Sequence, residues 1–391
     1  MGGPGTTDAP LRAAVVGCGV IGRQHAQVIA ATEGVELVCL ADVDPVAAAA
    51  LADAVAAEPG QTRPAVFASL TEALDQHAAK LDLVSVCTPS GTHADLAVEA
   101  LDAGKHVVVE KPLDVDLPSA RRVAAAAKAA QARGQVISVI SQHRFDAASA
   151  AVARAIRAGR LGRITSAVAS VAWWRSQAYY DSGAWRGTWE LDGGGAVMNQ
   201  GVHTVDLLLW FLGRPAEIHA HTGLLAHERV EVEDTAVATV RFESGALAAV
   251  HFTTAAYPGL TARLQIHGDR GSAVIDNDRL VYFHAADSAE GDGGSSYGMA
   301  GAGNQAHLEV GELESSANAR GADDLQTAHQ KQYADVVRAI RTSTAPLVGI
   351  EEATAALGAV RAVYVSAALG KAVSLAGVLD GRYDETAVHT P

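Results

Sequence analysis

Basic residues are in deficit: 30 Lys and Arg stand against 44 Asp and Glu in 391 residues, a net charge of −14. Nucleic acid and anionic membranes both attract basic surfaces, so neither is expected as a partner. Cysteine is scarce, limited to Cys18, Cys39 and Cys87. The number is odd, no CxxC spacing occurs, and each lies in or beside an apolar run. This reads as small buried thiols in a reducing compartment, and a cytoplasmic location is expected. No apolar run reaches the ~18 residues needed to span a bilayer. The opening MGGPGTTDAP has neither the basic region nor the apolar core of a signal peptide. Gly2 and Thr6 fit a myristoylation pattern, but no polybasic or second lipid signal accompanies them and one acyl chain anchors weakly. Residues 1–10 are expected to be a disordered leader, and no metal site is expected.

What is abundant is apolar material: 49 % hydrophobic against 19 % charged, enough for full cores in two domains. From Leu11 short apolar runs alternate with Ala-rich helical stretches. Strands are expected at Arg12–Val16, Val35–Ala41, Leu81–Cys87, His106–Val109 and Val136–Ser141, with helices such as Ser119–Arg133 between them. That alternation predicts a parallel sheet covered by helices on both faces. The pattern changes near residue 145. After a helix at Ala148–Ala158, alternating segments at Ile164–Trp173, Ala216–Leu225, Thr235–Phe242, Leu247–Thr254, Ala262–His267 and Ser272–Ile275 are separated by tight turns, as in a largely antiparallel sheet. Helices follow at Gln326–Arg341 and Glu351–Leu369. The expected organisation is a Rossmann domain over 11–144 and an α/β domain over 145–375. A loop or insertion is placed at 284–325 and a loosely held tail at 376–391.

The first strand runs into Gly17-Cys18-Gly19-Val20-Ile21-Gly22, and a helix, Arg23–Ala31, follows. In a GxGxxG at the start of a strand–helix unit, the first glycine permits the tight turn. The second lets backbone amides approach a pyrophosphate, and the third lets the helix pack closely on the strand. Asp42 ends the second strand, 20 positions after Gly22. A carboxylate there accepts hydrogen bonds from the adenosine ribose and repels a 2′-phosphate. With no Lys or Arg beside it, NAD is expected over NADP.

Three further segments complete a pattern: Cys87-Thr88-Pro89-Ser90 with His93; Glu110-Lys111-Pro112; and Gly193-Gly194-Gly195 followed by Asn199-Gln200-Gly201-Val202-His203. With the glycine turn and Asp42, they resemble the glucose-fructose oxidoreductase/inositol dehydrogenase (Gfo/Idh/MocA) family over roughly residues 11 to 370. The resemblance implies a Rossmann domain and an open-faced, mostly antiparallel second sheet through which members pair as homodimers or homotetramers. It also implies oxidation or reduction of a secondary hydroxyl on a sugar, glycoside, inositol or sugar derivative, with C3 of a pyranoside ring the first position to consider. It assigns Val20 and Ile21 of the glycine turn, Thr88, Pro89, His93 and Glu110 to the cofactor side, and Lys111 to both the cofactor and the reacting hydroxyl. It implies a proline, often cis, at Pro112.

Oxidising a carbinol needs a hydride acceptor, a base and positive charge beside the developing alkoxide. Lys111, one of six lysines, follows a parallel strand at the sheet edge where ligands bind. An imidazole ordinarily titrates near pH ~6.5, so His203 suits the base. Asn199 stands where many members carry Asp; it can hydrogen-bond substrate or orient His203 but cannot relay a proton as a carboxylate does. Asp206 fits equally as an orienter of His203 or as a structural partner on its helix. Aromatics are only 5 % of the chain, yet Trp173, Trp174, Tyr179, Tyr180, Trp185 and Trp189 fall within 17 residues. They are expected either to wall a sugar pocket or to pack a core or a subunit contact. Arg144, Trp174, Tyr179, Tyr180, Trp185, Arg186 and Asn199 are the expected substrate contacts, and Arg175 and Arg186 suit a carboxylate, a phosphate or the cofactor pyrophosphate. Two alternatives stay open: a glycosidase that uses tightly held NAD for transient oxidation and elimination, and a non-catalytic NAD sensor. The presence of both Lys111 and His203 disfavours the sensor.

Overall fold

The computed structural model describes residues 9–286, 303–311 and 322–388. Most of the expected leader, much of the expected 284–325 insertion and the last three residues of the tail therefore lie outside the described residues. The chain divides into two compact units. One holds residues up to Gln142 together with Ala322–Thr354; the other begins at His143 and resumes at Ala355.

In the first unit six strands form one parallel sheet: β1 Leu11–Val16, β2 Val35–Ala41, β3 Ala65–Phe67, β4 Leu83–Val86, β5 His106–Val109 and β6 Ile137–Val139. Their order, β3-β2-β1-β4-β5-β6, is the doubly wound dinucleotide-binding arrangement. β3 is not among the expected strands; three residues are too few to show a period. The crossover helices start where side chains cap them. Asp44 accepts the amides of Val46 and Ala47, and Asp116 accepts that of Ser119.

The helix Ala322–Thr342 belongs to this unit, although the sequence places it with the second domain. Tyr333, Val336 and Val337 share its apolar stripe and are buried in one core with Val28, Ile29, Leu37 and Leu40. Chain order gave no hint that the segment returns.

The second unit is built on seven strands: β7 Ile164–Ala172, β8 Pro215–Gly223, β9 Thr235–Phe242, β10 Leu247–Thr253, β11 Ala262–Gly268, β12 Gly271–Asp276 and β13 Arg279–Ala285. The order is β13-β12-β11-β7-β10-β9-β8, antiparallel except where β7 meets β10. Alternation is strict on β9, where Ala236, Ala238, Val240 and Phe242 are buried and the residues between them are not. The opposite face leaves Val168, Val237 and Leu247 exposed. Part of the expected insertion is ordered onto the sheet edge. Asn304 and Gln305 accept the amides of Phe283 and Ala285, and a short helix, Ala306–Val310, follows.

The helix Ile350–Leu369 is long and apolar enough to cross a membrane by length and composition alone. It carries Glu351, Glu352 and Arg361, and Leu357, Val360 and Ala362 are fully buried in the fold, as in a core helix.

Candidate active site

At the end of β1 the chain turns at Gly17, whose φ of 92° favours glycine. A Cβ on Gly22 would lie 1.7 Å from the Gly17 carbonyl oxygen, so the first turn of the helix Val20–Ala31 packs directly on the glycine turn. Gly19 is different. Its φ is −69°, and a Cβ there would meet no protein atom within 4 Å. The backbone does not require glycine at this position; a bare Cα keeps clear the approach to the helix N-terminus, where a pyrophosphate fits. Asp42 is oriented by two amides, Cys18 N at 2.5 Å and Asp44 N at 2.8 Å, and its oxygens retain acceptor capacity for ribose hydroxyls. Val20, Ile21, Val43 and Val46 stay exposed, Val20 and Val43 almost wholly. Apolar side chains flanking the Asp42 carboxylate suit an adenine ring, and they fit NAD. Burial pushes the Cys18 thiol up to about 12, which leaves it inert.

The turn after β5 rests on a buried polar network. Glu110 Oε2 accepts the Lys111 amide at 3.0 Å, and Oε1 accepts from His25 Nε2 at 2.8 Å with His329 Nε2 3.7 Å away. His25 Nδ1 meets Tyr333 Oη at 2.6 Å, and that hydroxyl meets Ser85 Oγ at 2.7 Å. Burial pushes the Glu110 carboxyl up, but the hydrogen bonds and charges of His25 and His329 outweigh it and hold it well below the usual range. The Lys111–Pro112 bond is cis. His93, also buried, faces the carbonyl oxygen of Pro112 with Nδ1 (2.7 Å) and that of Thr88 with Nε2 (2.8 Å), tying the turn at Thr88 and Pro89 to the turn at Lys111. The side-chain polar atoms of Glu110 and His93 are thus engaged by the protein.

In the second unit Ala196–Gly201 winds as a wide π-type turn, and the helix Val202–Leu212 carrying His203 begins after it. The π turn was not expected. It is set by Glu233, which is fully buried and accepts the amides of Gly195 (2.9 Å) and Val197 (2.8 Å) and the Tyr364 hydroxyl (3.1 Å). A Cβ on Gly195 would lie 1.7 Å from the Glu233 carbonyl oxygen, which explains the glycine. Burial pushes the Glu233 carboxyl up to about 7, against the pull of the amides that it accepts. Asn199 donates to Asp192, which also takes the Gly187 amide. The His203 ring stands edge-to-face with His143, centroids 4.8 Å apart. His143 Nδ1 lies 2.8 Å from Asp146 and 2.7 Å from Asp278, and these carboxylates raise its pKa to about 10 against burial.

Arg144 is corrected from an expected substrate contact to a scaffold residue. It is buried and grips both oxygens of Asp206, at 2.6 and 2.7 Å. Asp206 therefore has a structural partner in Arg144. The aromatic segment divides in the same way. Tyr180 is core, its hydroxyl bound to Thr254 at 2.8 Å, and Trp189 packs against Tyr364. Trp174 stands near His227 and Tyr257. Tyr179 and Trp185, by contrast, stack with Arg186 at 4.5 and 4.4 Å from their centroids.

His25, Tyr333, Ser85, Glu233 and Tyr364 were missed by the sequence reading. A histidine three residues after the third glycine was a usable signal for the first of them. Glu233 sits in the run Glu231-Val232-Glu233-Asp234, which reads as a solvated loop.

Comparison with known proteins agrees with both halves. Residues 11–138 match the oxidoreductase family with an NAD-binding Rossmann fold, and residues 149–274 match the GFO/IDH/MocA C-terminal domain. Inositol 2-dehydrogenase from Rhizobium meliloti is 30 % identical over 287 residues, 72 % of this chain and 80 % of that one. D-glucoside 3-dehydrogenase from Escherichia coli is 28 % identical over 62 % of this chain and 69 % of its own. Among solved structures, WlbA dehydrogenase from Bordetella pertussis, in complex with NADH and UDP-GlcNAcA, is 32 % identical with a TM-score of 0.79, covering 94 % of this chain and 98 % of that one. The glycine turn, the Lys111 turn, the His203 helix and these matches together make the chain a member of the Gfo/Idh/MocA family of NAD-binding oxidoreductases.

Proposed function

We propose that this chain is a dehydrogenase that transfers a hydride between a secondary hydroxyl of a sugar, polyol or sugar derivative and NAD. Bound at the glycine turn and Asp42, NAD supplies the hydride acceptor. Lys111 holds the reacting oxygen and stabilises negative charge on it, and His203 takes the hydroxyl proton. Asn199 is oriented by Asp192 to hydrogen-bond the substrate. Thr88 and Pro89 border the nicotinamide-side ribose.

The observation that carries this reading is the seating of Lys111. It lies at the carboxyl end of a parallel strand, with its backbone amide fixed by a buried carboxylate that at least one histidine holds in turn. A surface lysine does not need such support. The relatives named for inositol and glucoside dehydrogenation support the same reaction class.

The test is a panel of inositols, glycosides and sugar derivatives with NAD, followed at the NADH absorbance, with product analysis to locate the oxidised carbon. Net NADH formation with at least one member is expected; absence of NADH with all of them removes the proposal. The exposed Val168, Val237 and Leu247 on the open sheet face support self-association through that face. Light scattering is then expected to give a dimer or tetramer, and Val237→Asp to shift it toward monomer.

A further inference from the structure

Two arginines lie in the aromatic segment, Arg175 and Arg186. In this acidic chain Arg12 is held by Asp82, Arg144 by Asp206 and Arg229 by Asp181. Arg175 and Arg186 pair with no carboxylate among the described residues, and both bracket one ring. Their guanidinium carbons lie 5.4 and 4.5 Å from the Tyr179 centroid. Arg186 also stacks on Trp185 and donates to Tyr179 Oη at 3.0 Å and, through Nε, to Ser182 Oγ at 3.1 Å; Arg175 also stacks on Trp173. Arg175 makes one long contact, Nη1 to the Trp174 carbonyl at 3.4 Å, and its Nε is buried without a partner.

The nearby acids are engaged elsewhere. Asp181 takes Arg229 and Gln177, and Asp192 takes Gly187 and Asn199. An independent observation marks the same spot. Gln200 is 7 % exposed, its Nε2 lies 3.5 Å from Tyr179 Oη, and its Oε1 is buried with no hydrogen-bond partner. Gln200 stands three residues before His203. Leaving guanidinium donors and a buried amide oxygen unsatisfied costs stability, and π faces offset only part of that cost. A planar fork of N–H donors beside an aromatic shelf matches a carboxylate or phosphate.

We propose that Arg175 and Arg186 bind an anionic group carried by the substrate, so that the preferred substrate is an acidic sugar derivative, not a neutral polyol. This rests on the dehydrogenase reading above and narrows it.

The test uses the full chain with NAD and two sets of probes. The neutral set is myo-inositol and methyl glucoside. The acidic set is glucuronate, a hexose monophosphate and UDP-glucuronate, whose members separate a carboxylate from a phosphate as the anion. At least one acidic probe is expected to exceed the best neutral probe in kcat/KM by about 10-fold or more. Arg186→Gln is expected to cut that preference by roughly 10- to 100-fold, mainly through KM, the range for a lost charge-assisted pair. Arg186→Lys restores part of it, and Arg175→Gln acts in the same direction and carries the test should Arg186→Gln not fold. The Kd for NAD stays within about threefold throughout.

Three results overturn the assignment: a neutral probe as the best substrate, a preference untouched in the folded variants, or a loss of NAD affinity, which would give these arginines to the cofactor. NADH formed only with neutral probes sinks this proposal and leaves the dehydrogenase standing; NADH with no probe sinks both.

Discussion

The glycine turn of the first unit and the glycine run of the second solve the same problem by opposite means. Each fixes backbone beside residues that the proposed function uses. The first does it locally: Gly17, Gly22 and the helix Val20–Ala31 lie within a few residues, and the helix packs on its own turn. The second does it at long range. Gly195 and the π turn before His203 are held by Glu233, 38 residues on, and Tyr364, 166 residues from Met198. Pyrophosphate recognition uses backbone amides, so it is written as glycine spacing. Acid–base chemistry uses a side chain, and the side chain must be aimed by whatever the fold brings near it.

The largest effects separate the two devices. Gly22→Val drives side-chain atoms into the Gly17 carbonyl and is expected to weaken NAD binding by at least ~100-fold, because helix and phosphate turn part. Titration of NADH fluorescence measures it; near-normal affinity would mean that the turn is not rigid. Lys111→Ala and His203→Ala should do the reverse, lowering kcat by ~10²-fold or more while NAD still binds.

Next comes the long-range clamp. Glu233→Ala leaves two amides and a hydroxyl without their acceptor and is expected to cost about 3 kcal/mol or more, read from the urea midpoint. Glu233→Gln, which keeps one acceptor oxygen, should cost less. The same residue predicts a pH dependence. Its folded pKa, about 7, is raised above the ordinary carboxylate value, so the folded state holds a proton that the unfolded state releases. Its contribution is complete below about pH 4.5 and is lost as pH rises through 7, a change of about 2–4 kcal/mol. Urea midpoints between pH 5 and 8 should fall in the native protein and fall less in Glu233→Gln; parallel slopes would mean that Glu233 is ionised throughout.

The smallest effect lies on the ribose side. Asp42→Ala removes an acceptor that is already oriented by Cys18 and Asp44, and NAD affinity should drop about 10-fold. NADP then becomes relatively better, and an unchanged NAD-to-NADP ratio would take the ribose away from Asp42.

How far the sequence could be read follows the same division. Five of the six parallel strands, the strands of the open sheet except β13, and the glycine turn were legible because periodicity and glycine geometry are local; the three-residue β3 was not. The roles proposed for Lys111 and His203 rest on their motifs. What lay hidden was support: Tyr333 reaching Ser85 and His25 across 248 and 308 residues, and Arg144 closing on Asp206 across 62. No local pattern encodes such partners. For the aromatic run the wall and core readings stayed open because side-chain direction is not local: Tyr180 is buried, while Tyr179 and Trp185 carry the Arg186 guanidinium.

The decisive measurement is hydride transfer itself. With NAD and the best substrate of the panel deuterated at the carbon that becomes the carbonyl, the native chain should produce NADH carrying that deuterium, with a rate that depends on the label, and both Lys111→Ala and His203→Ala should lose the turnover while keeping NAD. Oxidation without transfer of the label to NAD, or undiminished turnover in both variants, would contradict the reading of this chain as a lysine- and histidine-assisted dehydrogenase.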